Sequence, residues 1–171
     1  MIMQTAVKLY SLGYSEIKTY MVAALFVAGN IVLPQLCHLI PQGGMILLPI
    51  YFFTLIAAYK FGWKAGLLTA VLSPVVNSLC FGMPALALLP VILVKSSLLA
   101  VFAALAASRF QKVSLLLLAV VVVAYQLVGG VAEWAITGSL DAALQDFRLG
   151  YPGMLLQIAG GYAVLRYLLK K

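Results

Sequence analysis

Apolar residues run along this chain in six long stretches separated by short polar connectors. They fall at roughly 20–40, 45–59, 65–79, 85–107, 113–132 and 152–169. About 20 apolar residues carry a helix across the hydrocarbon core of a bilayer. The second and third stretches are short and meet at Lys60-Phe-Gly-Trp-Lys64. Two lysines and a glycine there mark a turn at the membrane surface rather than the middle of one long span. The pattern predicts an all-α integral membrane protein with six transmembrane helices in a single domain, 1–171. No linker, low-complexity tract or repeat divides it.

Composition agrees. Of 171 residues, 65% are hydrophobic and 9% are charged, against about 25% charged in a soluble domain. Lipid must cover part of so much apolar surface. The net charge of +7 raises nucleic acid as a partner, but no basic stripe with interleaved aromatics is present. The basic residues sit between the apolar stretches instead. Lys8, Lys18, Lys60, Lys64, Arg109, Lys112, Arg166, Lys170 and Lys171 share one side, Arg148 alone takes the other, and Lys95 lies within a span. The positive-inside rule makes the first side cytoplasmic, so both termini are expected inside, as an even number of spans requires. Residues 1–19 then form a cytoplasmic segment, with no signal-peptide pattern. Three loops face outward: 41–44, 80–84 and 133–151. In the third, Ser139 is placed to cap a short surface helix with Leu140, Leu144 and Phe147 on its apolar face.

Polar residues inside the spans are the candidate chemistry. Lys95 stands near the middle of the fourth span, where a lysine costs about 2.5–3.5 kcal/mol on insertion scales. It reads as a cation for an anionic or carbonyl group of a ligand, or as one paired with a structural carboxylate, of which Glu133 is the plausible one. Pro90 and Pro74 are expected to free the carbonyls of Leu86 and Ala70. Helical spacing groups Ser73, Asn77 and Cys80; Asn30, Pro34 and Cys37 or His38; Gly153, Gln157 and Gly161; and Tyr125, Gln126 and Glu133. Each such residue also has the ordinary option of hydrogen-bonding a neighbouring helix. Their concentration in the outer halves of several spans favours a cavity. Cys37, Cys80 and His38 fall near the outer surface, where an oxidising compartment permits a disulfide. Two cysteines and one histidine without characteristic spacing are no zinc signature. Nucleotide-binding, nucleophile-elbow and metalloprotease motifs are absent. The expectation is therefore a protein that is not an enzyme, has no cofactor, and leaves any ATP-driven work to another subunit.

Ala24-Leu-Phe-Val-Ala28 in the first stretch has the small-xxx-small spacing that lets another helix approach closely. The segment from Leu48-Pro-Ile-Tyr to Lys60-Phe-Gly-Trp-Lys-Ala-Gly66, the segment Leu72-Ser-Pro-Val-Val-Asn-Ser-Leu-Cys-Phe-Gly-Met-Pro84, and Tyr151-Pro-Gly-Met-Leu-Leu-Gln157 accompany it. Together these stretches resemble the S component, the substrate-binding membrane subunit, of energy-coupling-factor (ECF) vitamin transporters. The likeness covers most of residues 20–169. It implies a protein of the bacterial or archaeal cell membrane that captures a vitamin or related micronutrient at the outer face. Its implied partners are a membrane-embedded T subunit and two cytoplasmic ATPases. It also implies a pocket drawn from Lys95, Asn77, Gln157, Ser73, Tyr125 and Gly82, lids in the loops around Gly43 and Gly82, and a docking face at Ala24 and Ala28. In one branch of that family the position of Lys95 is usually acidic. The reversal here favours a ligand bearing a carboxylate or phosphate. The motifs do not name the vitamin. Two other readings compete. One is a corrinoid-specific S component with Cys80 or His38 on the cobalt, and the other is a stand-alone secondary transporter.

Overall fold

Local chemistry sets where the helices begin and end. In a computed structural model describing residues 11–169, they are α1 (Ile17–Cys37), α2 (Gly43–Leu47), α3 (Phe52–Phe61), α4 (Trp63–Phe81), α5 (Leu89–Phe110), α6 (Leu115–Thr137), α7 (Leu140–Arg148) and α8 (Tyr151–Leu169). A single 3-10 turn, Pro49–Tyr51, leads into α3. Ser114 and Ser139 cap α6 and α7, accepting from the backbone N–H groups of Leu117 at 3.1 Å and Ala142 at 3.2 Å. Gly82 and Gly138 end α4 and α6 in the left-handed region, at φ 67° and 70°, where an L side chain is disfavoured.

The fold is all-α. Four helices, α1, α4, α5 and α6, are long and apolar enough to cross a membrane. The other two expected spans are less complete. The stretch 45–59 breaks at Leu48, whose φ is 47°, just before Pro49. A residue before proline disfavours the α region, so α2 stops there and the apolar run Pro49–Phe61 remains short. α8 has 19 residues, but Gln157, its glycines and Arg166 make it less apolar. Two further boundaries differ from expectation. α5 begins at Leu89, so Pro90 lies in its first turn. That turn needs no N–H donor, and the Leu86 carbonyl accepts from Leu89 N at 3.3 Å. Pro90 therefore opens a helix rather than interrupting one. α6 runs on through Glu133, which belongs to the helix and not to a loop.

Small side chains hold the bundle together. Ala57, Ala58, Ala100, Ala103 and Ala107 are buried where α3, α4 and α5 pack, and close backbone approach is the main source of helix association in lipid. A Cβ placed on Gly66 of α4 would fall 2.4 Å from the Ala58 Cβ of α3. Around the bundle, large apolar side chains such as Leu25, Leu79, Leu116 and Val131 face outward, as lipid contact requires.

The helix ends sort into two groups. At one end Leu12 N donates to Phe61 O at 3.4 Å, and the Tyr14 ring meets Trp63 edge-on at 5.9 Å. Tyr59 Oη donates to Lys112 O at 2.6 Å, and Lys60 Nζ donates to Leu168 O. This end gathers Lys60, Lys64 and Lys112 with the terminal turns that carry Lys18, Arg109 and Arg166. Lys8, Lys170 and Lys171 lie outside the described residues. At the opposite end stand His38, Gly44, Met83, Leu88 and α7. The separation matches the basic asymmetry read from the sequence.

Gly66→Ala therefore forces α3 and α4 apart. The expected loss is about 1–3 kcal/mol, the range for overpacking a tight contact, read as a lowered unfolding midpoint in detergent. A midpoint equal to the parent's would refute the close α3–α4 contact.

Candidate functional site

The polar residues form three groups, and backbone chemistry explains the first. Pro34 lies inside α1 and has no N–H, so the Asn30 carbonyl loses its helical donor. Asn77 Nδ2 of α4 donates to that carbonyl at 2.9 Å and to the Ser73 carbonyl at 3.0 Å. Both partners are acceptors only, which fixes the orientation of the Asn77 amide. Asn30 Nδ2 in turn donates to Thr54 Oγ1 at 3.0 Å and Ser73 Oγ at 3.1 Å, while its Oδ1 accepts from Phe53 N at 3.2 Å. This network ties α1, α3 and α4. It leaves Asn77 Oδ1 buried with no hydrogen-bond partner.

The second group joins α6 to α8. Tyr125 Oη donates to Gln157 Oε1 at 3.0 Å and accepts from Gln126 Nε2 at 3.0 Å. All three side chains are fully buried, and the Tyr51 ring packs 5.6 Å from that of Tyr125.

Lys95 centres the third group. A Cβ on Gly129 of α6 would lie 2.7 Å from Lys95 Cγ, so the bare glycine makes room for the lysine stem. One turn further along α6, Glu133 Oε2 stands 2.5 Å from Lys95 Nζ. Asp146 Oδ2 of α7 accepts a hydrogen bond from the same nitrogen at 2.8 Å. Lys95 is 3% exposed, against 12% for Glu133 and 17% for Asp146. The lysine is thus bracketed by two carboxylates. Of the two readings of Lys95, the structure shows the one in which it pairs with structural carboxylates, Glu133 and also Asp146. Sequence reasoning named Glu133 and missed Asp146. Asp146 lies one turn after Ala143, the buried residue of α7, so it shares the inward face, whereas Leu140 and Leu144 are exposed. Of the expected apolar face Leu140, Leu144 and Phe147, only Phe147 packs against the core.

Two adjoining cavities open at this end. One, of about 280 Å³, is lined by residues including Pro34, His38, Pro49, Asn77, Met83 and Pro84. The other, of about 160 Å³, includes Tyr51, Val91, Lys95, Glu133, Gln145 and Asp146 in its walls. Gly44, Met45, Ile50, Leu88 and Ile92 line both, so the two form one cleft divided by apolar side chains. The structure brings Lys95 and Asn77 to this cleft. Ser73 sits behind Asn77 in the hydrogen-bond network. Gly82 ends α4 beside Met83, and Tyr125 and Gln157 lie in the packed interior rather than among the lining residues. His38 joins the wall. Cys37 is buried and Cys80 exposed, and both are free thiols. Among the described residues no three histidine, cysteine or acidic side chains are grouped to hold a metal.

Ala24 and Ala28 are exposed on α1, on earlier turns than the cleft residues Pro34 and His38. They line a shallow apolar hollow with Leu68, Leu72 and Val76 of α4. No family model matches the chain, and no curated protein or solved structure is detectably similar to it.

Replacing Lys95 by methionine keeps most of the side-chain volume but strands two carboxylates. Removing one partner of a buried ion pair costs about 3–5 kcal/mol, so Lys95→Met should unfold at much lower temperature or denaturant concentration. The neutral triple variant Lys95→Met/Glu133→Gln/Asp146→Asn should recover most of that loss. A single variant as stable as its parent would contradict the bracketed arrangement.

Proposed function

We propose that the chain is the substrate-capturing S component of an ECF-type importer. On this reading it crosses the membrane six times, with α3 and α8 completing the four long spans. It binds a vitamin-like micronutrient in the cleft at its outer face and hands it on with a T subunit and two ATPases. The observation that carries the reading is the cleft at the end opposite the basic residues. The positive-inside rule puts that end outside, where capture from the surroundings takes place. The two volumes, about 280 and 160 Å³, are together of the order that holds a small heterocyclic ligand.

One observation favours a second reading, a stand-alone secondary transporter. Such a protein needs ionisable groups within the membrane, and Lys95 and Glu133 stand on candidate spans, α5 and α6. The two readings part at the Ala24/Ala28 face, which only the first requires.

The affinity-tagged chain purified from its native membranes should carry a T subunit and both ATPases, identified by mass spectrometry. Ala24→Trp/Ala28→Trp should lose all three while keeping its unfolding temperature, because those side chains face outward. Undiminished association of the double variant, or substrate uptake by the chain alone in proteoliposomes, would overturn the S-component reading.

A further inference from the structure

The wall of the outer cleft carries an excess of negative charge and an unpaired buried acceptor. Lys95 contributes one positive charge against the two carboxylates of Glu133 and Asp146. The remaining charged pair at that end, Arg148 with Asp141, is exposed and neutral as a unit. A chain with net charge +7 thus carries one uncompensated negative charge at its outer mouth. Lys95 Nζ meets Oε2 of Glu133 at 2.5 Å and Oδ2 of Asp146 at 2.8 Å, so a single ammonium serves two carboxylates.

A second, independent observation points the same way. Asn77, 1% exposed, lines the larger cavity. Its amide donor is committed to the Asn30 and Ser73 carbonyls, and its Oδ1 has no partner. A buried acceptor left unpaired costs about 1–3 kcal/mol, and a ligand N–H meeting it would remove that cost. Between the two polar walls the cleft is apolar, with Met45, Ile50, Leu88 and Ile92 common to both cavities.

Resting on the capture reading above, we infer that the cleft selects a cationic, hydrogen-bond-donating ligand. Its ammonium or protonated nitrogen lies by Glu133 and Asp146, an apolar ring lies against Ile50 and Ile92, and an N–H donor is directed to Asn77. An anion would meet the excess negative charge without a free cation to offset it. The attraction or repulsion is strengthened by the low dielectric of the site.

Three indole probes of similar size separate the cases: tryptamine (cation), tryptophol (neutral) and indole-3-acetate (anion). Calorimetric titration of the purified full chain in detergent should show tryptamine binding at least about tenfold more tightly than either of the others, a modest demand for one charge in a partly desolvated site. Glu133→Gln should cut tryptamine affinity by about tenfold and leave tryptophol unchanged. Asp146→Asn provides the same reading if Glu133→Gln fails to fold. Equal affinities, a preference for indole-3-acetate, or no saturable binding of tryptamine overturns the inference. Preference for the acid would do so while leaving capture by this cleft intact. Tryptamine selectivity in a chain that never associates with a T subunit would instead overturn the S-component reading alone.

Discussion

Lys95 sits 3% exposed in the fourth of the long apolar stretches, and the half of the molecule opposite the basic end is arranged around its charge. Hydrocarbon offers such a group nothing, so protein must supply the counter-charge. Glu133 comes from α6, which must stay helical past the end of its apolar run to deliver it. Asp146 comes from α7, which must lie across the bundle with its Ala143 and Asp146 side inward. Gly129 leaves the gap through which the lysine stem passes. One charge thus fixes the relative positions of α5, α6 and α7 and builds one wall of the cleft.

A neutral counterpart organises the other wall. Pro34 deprives the Asn30 carbonyl of its donor, and Asn77 replaces it from α4. The Asn30 side chain then satisfies Phe53 N, one of the unpaired donors in the first turn of α3. In a membrane interior each of these groups would otherwise be stranded. Both walls therefore arise from the satisfaction of polar groups that lipid cannot solvate, and Asn77 Oδ1 is left unpaired in the cleft wall.

Much of the architecture was legible because lipid constrains sequence strongly. The apolar runs located every long helix, and the basic residues marked the end at which Tyr59, Lys60 and Trp63 meet the N-terminal segment and α8. Ser139 marked the start of α7. What stayed hidden depends on tertiary contact. Glu133 looked like the end of a span because its charge broke the apolar run, yet that charge points to Lys95. Asp146 is ordinary in sequence and acquires its role only when α7 folds back against α6 and brings it to Lys95. Gln157 and Tyr125 were read as cavity residues, but the helix spacing that grouped them cannot say whether a polar face meets a ligand or another helix. In this case they meet each other. The role of Pro34 was within reach of the carbonyl-freeing rule applied to Pro74 and Pro90, and there the donor, Asn77, had already been singled out.

The functional account depends on the cleft opening to the outside. Thiol labelling of intact cells tests that directly, in a background where Cys37 and Cys80 are replaced by alanine. Leu88→Cys lies on the cleft wall, and Ser108→Cys lies at the basic end among the residues around Trp63 and Gln111. An impermeant maleimide applied from outside should modify the cysteine at 88 and spare the one at 108 until the membrane is opened. Labelling at 108 with protection at 88 would place the cleft on the cytoplasmic side and contradict capture from outside.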